Sequence, residues 1–105
     1  MERRAFLLRV RPGKEEEYKR THANVWPELI EENRRAGIRN YSIFMHGNLL
    51  FGYMEVEDYE KAMEYLGKSE VQRRWQELHA DILETEVKLD EAPLTLLEEV
   101  FHQEG

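Results

Sequence analysis

The chain reads as an α+β domain with the ferredoxin-like order βαββαβ, and three observations point there. Segments of period-two apolar alternation stand near both ends and as an adjacent pair in the middle. Segments with a helical apolar stripe and capping signals separate them. Only a compact turn joins the central pair, so those strands pair antiparallel while helices make the other crossovers. A length of 105 residues suits a single domain, 1–105, built on one core.

The first strand spans about residues 3–11, where Phe6, Leu8 and Val10 alternate with Ala5, Leu7 and Arg9, and Pro12-Gly13 stops it. Lys14 to Thr21 is a short polar helix. Asn24 is the expected cap of the next helix, with Pro27 tolerated in its first turn. Val25, Leu29, Ile30 and Ala36 supply its apolar side, and Gly37 ends it. Tyr41, Ile43 and Met45 alternate with Ser42 and Phe44 in a second strand. The turn His46-Gly47-Asn48 leads into a third, Leu49 to Glu57.

Asp58 opens a helix striped by Tyr59, Ala62, Met63 and Leu66 and ended at Gly67. Ser69, with Gln72 three positions on, forms a capping box for another helix. The expected stripe of that helix is Val71, Trp75, Leu78 and Ile82. An acidic connection from Glu84 to Pro93 carries no regular pattern, and Leu96 to His102 is read as the last strand.

The third strand is apolar on both faces, Leu50, Met54 and Val56 on one and Leu49, Phe51 and Tyr53 on the other. Helices from a chain this short cover one sheet face. The other is expected to meet a second copy, giving a homodimer, or to enclose a ligand.

Composition removes several function classes. Fifteen Lys and Arg face 22 Asp and Glu, a net charge of −7, which disfavours a nucleic-acid partner. The basic pairs Arg3-Arg4, Arg34-Arg35 and Arg73-Arg74 are short and separated. No apolar run approaches the roughly 20 residues that span a bilayer, so no membrane partner is expected. With no cysteine, disulfides, thiolate metal sites and a Cys nucleophile are excluded, and a cytoplasmic location is the expectation. No phosphate-binding glycine loop, nucleophile elbow or calcium loop occurs.

The informative stretch is Glu17 to Glu28. Tyr18 and His22 stand four apart, one above the other on a helix face. That pairs a group titrating near neutrality with a phenol able to donate and accept. Both residues could also merely border an amphipathic helix. Trp26 and Trp75 are read as core residues or as a platform for the C–H face of a sugar. Tyr41 shares a strand face with Ile43 and Met45, so it is buried or enters a cavity, and its hydroxyl needs a partner. No histidine pair has the helical metal-site spacing, and no metal is expected. His46 and His102 are expected at the surface and His79 at a helix edge, all outside the chemistry.

These residues resemble those of the L-rhamnose mutarotase family along nearly the whole chain. The matching segments are Ala5-Phe6, Glu17-Tyr18, His22, Trp26-Pro27-Glu28-Leu29, Asn40-Tyr41, Asn48-Leu49-Leu50-Phe51, Arg74-Trp75 and Glu99-Val100-Phe101. The resemblance implies a dimeric α/β-barrel of ferredoxin-like subunits that interconverts the α and β anomers of a 6-deoxy monosaccharide without a cofactor. It also implies His22 as proton donor and Tyr18 and Tyr41 as sugar-binding residues. Two consecutive Trp line the family's site; here Trp75 keeps the first and Gln76 replaces the second, which bears on the preferred sugar. The turn at His46-Gly47-Asn48 is shorter than its family equivalent. The other readings of such a barrel are a non-catalytic small-molecule sensor and a cofactor-free oxygenase.

Overall fold

The computed structural model describes residues 1–84 and 94–105. Its elements run β1 (Glu2–Arg9), α1 (Glu15–Ala23), α2 (Pro27–Arg35), β2 (Ile38–His46), β3 (Leu49–Val56), α3 (Tyr59–Gly67), α4 (Glu70–Leu78) and β4 (Thr95–Leu97). The strands form one antiparallel sheet in the order β2-β3-β1-β4, the ferredoxin-like arrangement.

Strand alternation sorts the sheet into two apolar faces. Phe6, Val10, Leu50, Met54 and Val56 are all buried, and they pack with Tyr18, Tyr59, Ala62, Met63 and Leu66 of the helices. The opposite face carries Leu7, Phe44, Phe51, Tyr53 and Leu97, set side by side by the register Phe44–Phe51–Leu7 and Tyr53–Ala5–Leu97. Phe44 keeps 65% of its surface exposed there, so the helices leave this face open.

Two helix starts follow their sequence signals. Asp58 accepts a hydrogen bond from Lys61 N at 3.1 Å, and Ser69 accepts one from Gln72 N at 3.2 Å. Gly37, at φ +89°, makes the left-handed turn that sends α2 into β2.

Several boundaries differ from expectation. Asn24 ends α1 instead of capping α2, whose N-cap is Trp26, because Pro27 occupies the first helical position. α4 ends at Leu78, which is 47% exposed, and Ile82 is buried from the turn beyond it. The last strand is Thr95–Leu97, not 96–102: β1 offers it only three pairing positions, and Val100 and Phe101 are exposed. Most of the expected acidic connection lies outside the described residues.

Candidate active site

Two helical i, i+4 pairs face one another beneath the covered side of the sheet. On α1, the rings of Tyr18 and His22 stack with centroids 4.0 Å apart and planes 23° from parallel. At the end of α4, Trp75 and His79 form the second pair, 4.6 Å apart. His22 meets both edge-on, with centroids 5.2 Å from Trp75 and 5.1 Å from His79. Trp26, at the start of α2, braces Trp75 at 5.1 Å.

Tyr41 reaches the same place through a bulge. Ile38 pairs with Val56 and Arg39 with Glu55, after which the register slips so that Ser42 pairs with Tyr53. The extra residue shifts the alternation, placing Tyr41, Ile43 and Met45 on the helix side together with Ile38. Without it, Phe44 would point inward. Asn40 takes up the turn at φ +49°, and its Nδ2 donates to Glu55 Oε1 at 2.6 Å. The Tyr41 ring then stands edge-on to Phe6 at 6.1 Å.

These side chains enclose a recess of about 80 Å³ lined by Tyr18, His22, Tyr41, Trp75, Gln76 and His79. It continues into an outer cleft of about 490 Å³ bordered by Asn33, Arg34, Arg39 and Asn40. All five candidate residues thus line one cavity. Among the described residues, no Asp, Glu, Lys or Arg lines the inner recess, and no group of three potential metal-binding side chains occurs.

Burial sets the protonation states. Desolvation lowers the pKa of His22, countered in part by its hydrogen bond to the Tyr18 carbonyl and reinforced by nearby His79. Desolvation likewise lowers that of His79. The same effect pushes the phenols of Tyr18 and Tyr41 above their ordinary range, although Tyr41 keeps 39% of its surface exposed where it borders the outer cleft. Near neutrality the cavity therefore offers two neutral imidazoles, two neutral phenols, an indole wall and the amides of Gln76 and Asn33. That equipment suits a neutral, hydroxyl-rich molecule and a proton relayed by a histidine.

The comparison with known proteins decides the relationship. Residues 3–103 match the family model described as L-rhamnose mutarotase. The chain belongs to the L-rhamnose mutarotase family. The L-rhamnose mutarotase of Oceanobacillus iheyensis is 36% identical, with 99% of this chain and 100% of that protein covered. That of Pectobacterium carotovorum is 39% identical over 97% and 98%. The crystal structure of L-rhamnose mutarotase from Formosa agariphila superposes with a TM-score of 0.81 at 34% identity, covering 99% and 100%. Tetracenomycin F2 cyclase from Streptomyces glaucescens, 21% identical with a TM-score of 0.62 over 100% and 99%, shares the fold. As a member of this isomerase family, the protein is an anomer-interconverting mutarotase.

One site residue corrects the sequence reading. His79, expected at a helix edge and outside the chemistry, is 2% exposed and lies within the cavity. The signal was its position four after Trp75, on the same helical face. Thr21 and Asn33 were also missed, the first because the contact of its hydroxyl with His79 forms only when the end of α4 packs against α1. His46 and His102 are exposed, as expected.

Proposed function

We propose that this protein interconverts the α and β anomers of L-rhamnose or a related 6-deoxyhexose, with His22 carrying the proton. The observation that carries this reading is the His22 imidazole stacked on Tyr18 and entering a recess without charged side chains. Its Nδ1 lies 3.0 Å from the Tyr18 carbonyl oxygen, which can only accept, so Nδ1 holds the hydrogen and Nε2 the lone pair.

Ring opening then proceeds at Nε2. The anomeric hydroxyl gives its proton to Nε2 as the C1–O1 bond gains carbonyl character. The C1–ring-oxygen bond breaks, and the imidazolium donates that proton to the ring oxygen. After rotation about C1–C2 the steps reverse on the opposite carbonyl face. The proton count closes on one histidine, without a cofactor or a covalent intermediate. Positioned acid–base catalysis of this kind supplies ~10²–10⁴-fold, about 3–6 kcal/mol of barrier. Tyr18 and Tyr41, kept as neutral phenols, hydrogen-bond sugar hydroxyls. Trp75 faces the C–H side of the ring, and Gln76 offers an amide to one edge.

The assembly proposed for the protein is a homodimer. Its support is the open sheet face of Leu7, Phe44, Phe51 and Leu97, an apolar surface suited to symmetric pairing. A cytoplasmic location accords with a cysteine-free metabolic isomerase.

Saturation-transfer NMR on L-rhamnose, with L-fucose alongside, tests the function. Transfer between anomeric signals should rise in proportion to added protein for at least one sugar. Exchange at the uncatalysed rate for both would defeat the proposal.

A further inference from the structure

A chain of polar contacts runs behind His22, from one helix to another. His79 Nδ1 lies 2.8 Å from the Trp75 carbonyl oxygen, and His79 Nε2 lies 2.8 Å from Thr21 Oγ1. Thr21 Oγ1 is 3.0 Å from His22 Nδ1, which is also 3.0 Å from the Tyr18 carbonyl oxygen. The two carbonyls fix the hydrogens, because a carbonyl oxygen only accepts. His79 Nδ1 must carry its proton toward Trp75. In the neutral ring, Nε2 is then an acceptor, and the Thr21 hydroxyl is the donor within reach. The Thr21 hydroxyl also lies 2.9 Å from the Tyr18 carbonyl oxygen, but that carbonyl already accepts from His22 Nδ1–H. Among the described residues, buried His79 Nε2 has no other donor, so the single hydrogen goes to His79 and Thr21 Oγ1 presents lone pairs to His22 Nδ1–H.

We propose that Thr21 and His79 are positioning residues that hold the His22 ring in one orientation, with Nε2 directed to the substrate, while the Tyr18 carbonyl sets its tautomer. This rests on the assignment of His22 as the proton carrier. The order is Trp75 C=O accepting from His79 Nδ1–H, His79 Nε2 accepting from Thr21 O–H, and Thr21 Oγ1 accepting from His22 Nδ1–H. Among the described residues, no hydrogen bond occupies His22 Nε2. The device is suited to a proton carrier for a specific reason. Protonating His22 adds a hydrogen at Nε2 alone, so every bond behind the ring survives both protonation states. No reorganisation accompanies the proton's arrival or departure, the condition under which a preorganised site lowers a barrier.

Burial makes the arrangement demanding. His79 is 2% exposed, so an unpartnered Nε2 has no access to bulk water. The hydroxyl that satisfies it comes from the residue just before His22 in sequence. The orientation of α4 is thereby tied to that of the proton carrier on α1.

The test begins with the unmodified protein. Long-range ¹H–¹⁵N correlation spectra at a pH where both rings are neutral should show His22 and His79 each with hydrogen on Nδ1 and a bare Nε2. A predominant Nε2–H form of either ring would overturn the proposal whatever the variants do. Thr21→Val keeps the shape and removes the hydroxyl. It should lower kcat by roughly three- to tenfold, the worth of one hydrogen bond, leave KM unchanged, and shift the His79 Nε2 resonance, which loses its hydrogen-bond donor. Thr21→Ser should restore both kcat and the spectrum. Wild-type kcat in the folded Val variant, or equal losses in Val and Ser, would refute the role. If the unmodified protein fails to speed anomer exchange, the functional assignment falls, while the tautomer spectra separately report on the chain of contacts.

Discussion

The ring of Phe6 lies against Gly52 so closely that a Cβ added to the glycine would come within 2.0 Å of Phe6 Cζ. Phe6 on β1 is paired with Gly52 on β3, and its ring crosses the sheet in the space a side chain would fill. The same ring supports the edge of Tyr41. Gly52→Ala should therefore destabilise the protein by about 1–3 kcal/mol through overpacking, because Phe6 is 1% exposed and hemmed in. Urea unfolding measures it. A midpoint equal to wild type would show that Phe6 has another place to go.

The bulge at Asn40 makes a separate prediction. Its φ of +49° is accessible to Asn and Gly but strained for a β-branched residue. Asn40→Val should cost about 1–2 kcal/mol, and Asn40→Gly much less. If the bulge aims Tyr41, the Val variant should also raise KM more than it lowers kcat. Steady-state kinetics on both variants check this, and an unchanged KM for Val would detach the bulge from the site.

The buried histidines give stability a pH dependence of definite sign. Both have pKa values below the ordinary 6.5, with desolvation the leading cause. As pH falls through 6.5, the unfolded chain takes up protons that the folded chain still refuses, so stability is present above 6.5 and is lost on acidification. The groups packed around them are Tyr18, Thr21 and Trp75, none of which titrates in that window. Thermal melts at pH 7.5 and 5.5 should show the lower Tm at pH 5.5. A Tm that rises on acidification would contradict the buried neutral state of these rings.

Gln76 tests sugar choice. It lines the recess beside Trp75, where a second indole would offer stacking area instead of an amide. Gln76→Trp should alter relative exchange rates among 6-deoxy sugars more than it alters thermal stability. Identical effects on every sugar would place Gln76 outside the binding contacts.

Much of this was legible from local patterns. The alternation at Phe6, Leu8 and Val10, the caps at Asp58 and Ser69, and the i, i+4 pairing of Tyr18 with His22 are short-range signals, and the structure follows them. The relation of His79 to His22 was not legible, because it depends on how α4 lies against α1 across 57 residues of chain. The end of β4 was misread for a similar reason. Glu98 to His102 still look strand-like, but pairing stops at Leu97, and Arg3 instead holds Glu99 by a 2.8 Å ion pair. Tyr41 was placed on the correct face, yet the bulge that permits it shows only when Ile38 must face the same way.

The most direct measurement is anomer exchange by His22→Asn, which keeps much of the size and hydrogen bonding of the side chain but cannot cycle a proton. Saturation-transfer NMR should find catalysed exchange reduced by ~10²–10⁴-fold, with thermal stability and mass in solution as in wild type. Tyr18→Phe, which keeps the ring and loses one hydroxyl, should cost less. A folded His22→Asn protein that retained most of its activity would contradict the assignment of His22 as the proton carrier.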